Sequence, residues 1–226
     1  MQAQKPDAQA FTERSNLVQR TLIFGVLTAA FCVLSYELID RLLAISVALQ
    51  IPEGGNIRLI AELISQISEP NHWLVIFVLA LCFSTGQFIA KKHHRGIYVF
   101  TLSLFIAIVV TTSLKMMLAR YRPELYLTEG LYGFHGFSYQ KAFNSFPSGH
   151  VALNFAGLLP LAYIVKNKNF TIFMLVICVM IAIARILLDK HFLSDVVAGA
   201  YIGIFSCLWA RYFVMRYCSL MAKQRS

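Results

Sequence analysis

Six apolar stretches divide this chain, and a helix needs about 20 residues to cross a bilayer. They lie near residues 21–39, 72–90, 97–118, 151–165, 170–188 and 196–215. The fourth is short as written and is expected to begin earlier, near Pro147. In hydrocarbon a segment must satisfy its own backbone polar groups, so spans of this length predict helices. Composition agrees: 58% of residues are hydrophobic and only 14% charged, where soluble domains carry about 25%. The expected fold is all-α, a bundle of six transmembrane helices over residues 21–215. A segment of residues 1–20 precedes it and a basic tail of residues 216–226 follows, with no second domain.

Charge sets the expected orientation. With the amino terminus inside, the inner segments hold twelve of the twenty basic residues: Lys5, Arg14, Arg20, Lys91, Lys92, Arg95, Lys166, Lys168, Arg211, Arg216, Lys223 and Arg225. Only Asp7 and Glu13 oppose them there. The positive-inside rule then puts both termini in the cytoplasm. It also accounts for the net charge of +9 without a nucleic-acid partner. Five cysteines, Cys32, Cys82, Cys178, Cys207 and Cys218, sit in or beside apolar runs without regular spacing and read as packing residues. The polar start has no clear small-residue cleavage site, so the first apolar run is expected to remain as a membrane helix. Between the first two spans, Ile57, Ile60, Ala61, Ile64 and Ile67 recur at helical spacing opposite Arg58 and Glu62. This predicts an amphipathic helix at the outer interface, serving lipid access or scaffolding against the bundle.

Chemistry-bearing residues gather at span ends. Arg185, His191 and Asp195 fall within eleven residues between two apolar runs. His191 and Asp195 are four apart, which on a helix gives a carboxylate able to orient an imidazole. A plain ion pair capping a membrane helix explains the same stretch. The third span contains Lys115 and runs into Arg122 and Pro123. Seven residues is close to two helical turns, so Lys115 and Arg122 are expected on one face, with Pro123 at the helix end. Arg120, off that face, is expected to snorkel or meet a headgroup. Before the fourth run stands Pro147-Ser148-Gly149-His150. There the amides of Ser148 and Gly149 form an anion site at a helix start, with the Ser148 hydroxyl and His150 beside it. The predicted topology puts all of these residues near one outer face. The aromatic residues of 124–146 are expected at headgroup level or as a lip over a lipid site.

Lys115, six residues, Arg122-Pro123, then Pro147-Ser148-Gly149-His150, then Arg185, five residues, His191, three residues, Asp195: this resembles the three-part signature of the type 2 phosphatidic acid phosphatase superfamily. That family includes membrane lipid phosphatases, glucose-6-phosphatase and vanadium haloperoxidases. The resemblance covers about residues 97–215. It implies His191 as nucleophile forming a phosphohistidine, Asp195 bonded to its other ring nitrogen, and His150 as general acid and base. Lys115, Arg122, Ser148, the Gly149 amide and Arg185 would hold the phosphoryl oxygens. No metal or other cofactor is called for. One departure stands out: Ala184 replaces the serine often found before the arginine of the third motif, removing a phosphate donor.

The expected substrate is a lipid phosphomonoester or diphosphate within the bilayer. Phosphatidic acid, phosphatidylglycerophosphate, undecaprenyl diphosphate and the phosphates of lipid A all remain open. The aromatic run of residues 131–146 into Pro147 resembles bacterial members, some of which act on lipid A. A bacterial inner membrane with the site facing outward is the implied setting. A phosphotransferase passing the group to a lipid acceptor shares the same histidine. A non-catalytic lipid-binding or transport relative would be expected to lack His191, His150 or Asp195, and all three are present.

Overall fold

A computed structural model describes residues 5–90 and 94–223. The basic residues Lys91, Lys92 and Arg225, and His93 among them, lie outside that set. The first apolar run belongs to a longer helix, α1 (Lys5–Leu38), which breaks at Ile39 and restarts as α2 (Asp40–Gln50). Asp40 opens α2, where a carboxylate complements the helix dipole, and the Ser35 hydroxyl donates to it at 2.7 Å. A turn containing Gly54 at φ +80 leads into α3 (Asn56–Ile67), and Pro70 starts α4 (Pro70–Ile89). Then follow α5 (Arg95–Leu118), the short α6 (Pro123–Glu129), α7 (Gly149–Val165), α8 (Lys168–Leu187) and α9 (Leu193–Lys223).

Among the described residues, five helical segments are long and apolar enough to cross a membrane: 11–38, 56–89, 95–118, 168–187 and 193–221. The remaining expected span forms α7, which is apolar but has only 17 residues. It is also the most enclosed helix. Val151, Ala152 and Ala156 are fully buried between α5 and α9, and the Ser103 hydroxyl of α5 donates to the Ala156 carbonyl at 2.7 Å. Gly199 and Gly203 let α9 lie against it. A methyl group on Gly199 would come within 2.6 Å of the Ser148 carbonyl, and one on Gly203 would meet Phe155. Small residues four apart permit this approach where lipid supplies no hydrophobic drive between helices. On the far side of α7, the Trp73 ring of α4 fills the notch at Gly157. Helix α1 packs along α9, with the Tyr201 hydroxyl donating to the Thr21 carbonyl at 2.9 Å.

Helix α3 is amphipathic as expected, and its packed face is made of small residues. Ile57, Ile60 and Ile67 point outward, while Ala61, Ser65 and Ser68 are buried and Ala61 packs against Ala184 of α8 and Leu188 just past its end. The small residues permit a close helix contact, and the branched ones lie where lipid would cover them. Arg58 turns inward to Asp189 at 3.4 Å. The five cysteines are free.

Candidate active site

The carboxyl ends of α5 and α8 meet the amino ends of α7 and α9 at one end of the bundle. Helix α5 stops at Leu118 because Ala119, fully buried, adopts a left-handed conformation at φ +41. The chain then runs extended to Arg122, since a residue before proline is kept out of the helical region, and Pro123 opens α6. The expectation of one continuous helix carrying Lys115 and Arg122 on a shared face is thereby corrected. Both residues still reach the same place. Lys115 Nζ donates to the Asn144 carbonyl at 2.6 Å, and its Cε lies 3.4 Å from where a methyl group on Gly149 would sit.

Ser148 is the residue before the first turn of α7. Its amide donates to the Asp195 carbonyl at 2.9 Å, so it is not free for an anion as expected. Its hydroxyl is buried without a hydrogen-bond partner. His150 follows, half-buried, within electrostatic range of Arg185, His191, Lys115 and Arg122. The side chain of Asn154, one turn on, donates to the carbonyls of His150 and Ser68, tying α7 to the link between α3 and α4. Arg185, in the last turn of α8, is buried and directs Nη1 at the Ser65 hydroxyl of α3, while Nε has no partner. Ala184, beside it, is packed against α3. The hydroxyl that meets this arginine therefore comes from Ser65, not from position 184.

His191 lies in the short link between α8 and α9 and is 3% exposed. Burial disfavours its charged form, and Arg185, Lys115 and Arg122 add to this, so the ring titrates well below 6.5, with the Ser145 backbone opposing. Its Nδ1 is 3.7 Å from Asp195 Oδ2, too far for a hydrogen bond. Asp195 is otherwise engaged. Oδ2 accepts from the Ser145 hydroxyl at 2.5 Å and from the Phe192 amide at 2.9 Å, the second a cap on the start of α9. Oδ1 accepts from Arg120 at 2.5 Å.

Arg120 is the main correction to the sequence reading. It neither snorkels nor meets a headgroup, being 1% exposed. Its guanidinium donates to Asp195, to the Ser194 hydroxyl at 2.6 Å and to Asp40 Oδ2 at 2.8 Å. The extended backbone after Ala119 turns it inward, where the rings of Tyr36, Tyr132, Phe134 and Phe192 surround it at 4.4–5.6 Å. Burial opposes its charge, but Asp195 and Asp40 outweigh that and hold it protonated well above the usual arginine range. Several aromatic residues of the 124–146 loop are thus divided in use. Tyr132 and Phe134 enclose Arg120, and the Tyr132 hydroxyl donates to the Tyr36 carbonyl at 2.6 Å. Phe137 and Tyr139 stay exposed at the rim. Among the described residues, no three His, Cys, Asp or Glu side chains converge to hold a metal ion.

Residues 96–217 match the family model described as the PAP2 superfamily. A lipid A 1-phosphatase of Rhizobium etli is 32% identical over 129 residues, 57% of this chain and 53% of that protein. Another, of Rhizobium johnstonii, is 30% identical over 129 residues and is matched over 51% of its length. The chain spans about half the length of these curated relatives. Among solved structures, a transmembrane PAP2-type phosphatidylglycerolphosphate phosphatase from Bacillus subtilis superposes with a TM-score of 0.64 at 22% identity. That superposition covers 88% of this chain and 96% of the other, and so extends the likeness in fold beyond the family match.

Proposed function

The chain belongs to the PAP2 superfamily, and from that membership we propose that it is an integral membrane phosphatase that releases phosphate from a lipid headgroup. The observation that carries the proposal is a pair of buried donors without partners, Ser148 Oγ and Arg185 Nε, amid Lys115, Arg122, His150 and His191. Buried polar groups are ordinarily satisfied, and donors converging among cations suit the oxygens of a phosphoryl group. In the proposed reaction His191 attacks phosphorus through Nε2 and the bond to the lipid oxygen breaks. His150 gives that oxygen its proton. Water, losing a proton to His150, then cleaves the phosphorus–nitrogen bond. Lys115, Arg122, Arg185, Ser148 and the Gly149 amide hold the oxygens in both steps. Asp195 orients His191 once the ring moves the short distance needed to close their 3.7 Å gap.

A lipid substrate is supported by a cleft of about 360 Å³ lined by Ile64, Ile67, Trp73, Leu158 and Ile181, with Asn154 in its wall one turn from His150. The lipid A 1-phosphatases among the relatives put a lipid A phosphate first among candidates, ahead of phosphatidic acid, phosphatidylglycerophosphate and undecaprenyl diphosphate. The bacterial relatives support a bacterial inner membrane, and charge asymmetry supports a site on the outer face. The test is phosphate release by detergent-purified protein from a panel of these four lipids, with and without EDTA. Release from at least one, undiminished by chelation, is expected, because fixed cations do the work of a metal. No release from any lipid, or phosphorylated acceptor in place of free phosphate, would overturn the hydrolase reading.

The pH profile has a definite sign. His191 must be neutral to attack, and its lowered pKa keeps it neutral as pH falls through 6.5. The acid limb of kcat/KM that belongs to this group is therefore expected below pH 6.5. A His191 ring that titrates above 6.5 when followed directly by NMR would contradict the environment described.

A further inference from the structure

Asp40 lies far from the three signature segments and outside residues 96–217, yet it takes part in the innermost hydrogen bonds of the site. Its Oδ2 accepts from Arg120 and from the Ser194 hydroxyl, and its Oδ1 from the Ser194 amide at 3.1 Å and from Ser35. Asp40 and Asp195 are each essentially without exposed side chain, and Arg120 stands between them. The formal charges of the three sum to minus one. With Arg120 and Asp195 alone the sum would be zero, and the carboxylate behind His191 would be neutralised by its own partner.

We propose that Asp40 and Arg120 are positioning residues that together hold Asp195 in place while leaving one uncompensated negative charge behind His191. The inference rests on the phosphohistidine reading above. When His191 bonds phosphorus through Nε2 and keeps a proton on Nδ1, its ring becomes a cation. Every other charged group facing it, Arg185 from α8, Lys115 from α5, Arg122 ahead of α6 and, when protonated, His150 from α7, opposes that cation. The Asp40–Arg120–Asp195 group favours it, beside the Ser145 backbone. Desolvated charges act strongly in such a place. The α1–α2 corner thereby becomes part of the reaction apparatus, and Arg120 becomes a clamp whose charge a second carboxylate must offset.

The charge count predicts the behaviour of three variants. Asp40→Asn brings the sum to zero, and kcat is expected to fall at least about tenfold while KM changes little, since the phosphate-holding cations are untouched. Arg120→Gln brings it to minus two. The double variant Asp40→Asn/Arg120→Gln restores minus one, and its kcat is expected to exceed that of Asp40→Asn severalfold, a coupling that independent losses would not give. Should Asp40→Asn not fold, the double variant is compared with Arg120→Gln, whose excess negative charge it removes and whose kcat it is expected to exceed. Ser103→Ala, which removes a buried bond between α5 and α7 away from the site, controls for destabilisation and should keep the kcat of the unaltered protein. All are assayed on folded, detergent-purified protein with the best lipid of the panel. A normal kcat in Asp40→Asn, or a double variant no better than the worse single, would overturn the proposal. Absence of turnover in the unaltered protein would instead overturn the function on which it rests.

Discussion

Replacing His191 by alanine is expected to lower kcat by at least about a thousandfold while the protein still folds and still binds its lipid. Loss of a nucleophile removes the covalent route itself, and effects of that size are usual where one residue carries the bond-forming step. His191 contributes no satisfied Nδ1 hydrogen bond to the fold, so on that side its removal leaves no partner unpaired. It also removes a ring that the surrounding cations do not favour in charged form. The melting temperature should therefore change little. His150→Ala, by comparison, is expected to cost about a hundred- to ten-thousandfold, the usual range for a general acid and base. Phosphate release by purified His191→Ala at more than a tenth of the normal rate would remove His191 from the mechanism.

The largest effect on stability is expected from Arg120→Ala. Removing one partner from a buried ion pair leaves an uncompensated charge and costs about 3–5 kcal/mol, and here two carboxylates, Asp40 and Asp195, lose their cation together. The four aromatic rings around the guanidinium would also face a cavity. For a chain of this size a loss of that order lowers the melting temperature by roughly 10 °C or more. Arg120→Lys keeps the charge but lacks the fork that reaches Asp40, Ser194 and Asp195 at once, and should fall between. Thermal unfolding in detergent measures both. A shift under about 2 °C for Arg120→Ala would mean that the guanidinium does not hold this interior together.

Much of this was legible in the chain itself, for reasons that differ from part to part. The helices announce themselves because hydrocarbon leaves a backbone little alternative, and most of their ends fell within a few residues of the expected positions. Lys115, Ser148, His150, Arg185 and His191 stand out because charged and titratable groups at span ends are rare enough to notice. What could not be read depends on partners distant in sequence. Arg120 and Asp40 are eighty residues apart, and each alone resembles an interfacial charge. The turn at Ala119 that sends Arg120 inward is a left-handed alanine, which no residue preference marks. Pro123 did carry a signal: proline constrains the residue before it as well as its own nitrogen, and that stops a helix short of Arg122. Helix α3 showed its amphipathic period in the sequence, but not that Ala61, Ser65 and Ser68 would be the residues packed against the bundle, since small residues carry little apolar signal.

The backbone bond from Ser148 to the Asp195 carbonyl, together with the glycines that let α7 and α9 touch, joins the two histidine-bearing segments without help from any side chain that meets substrate. The spacing between His150 and His191 is then a property of two main chains.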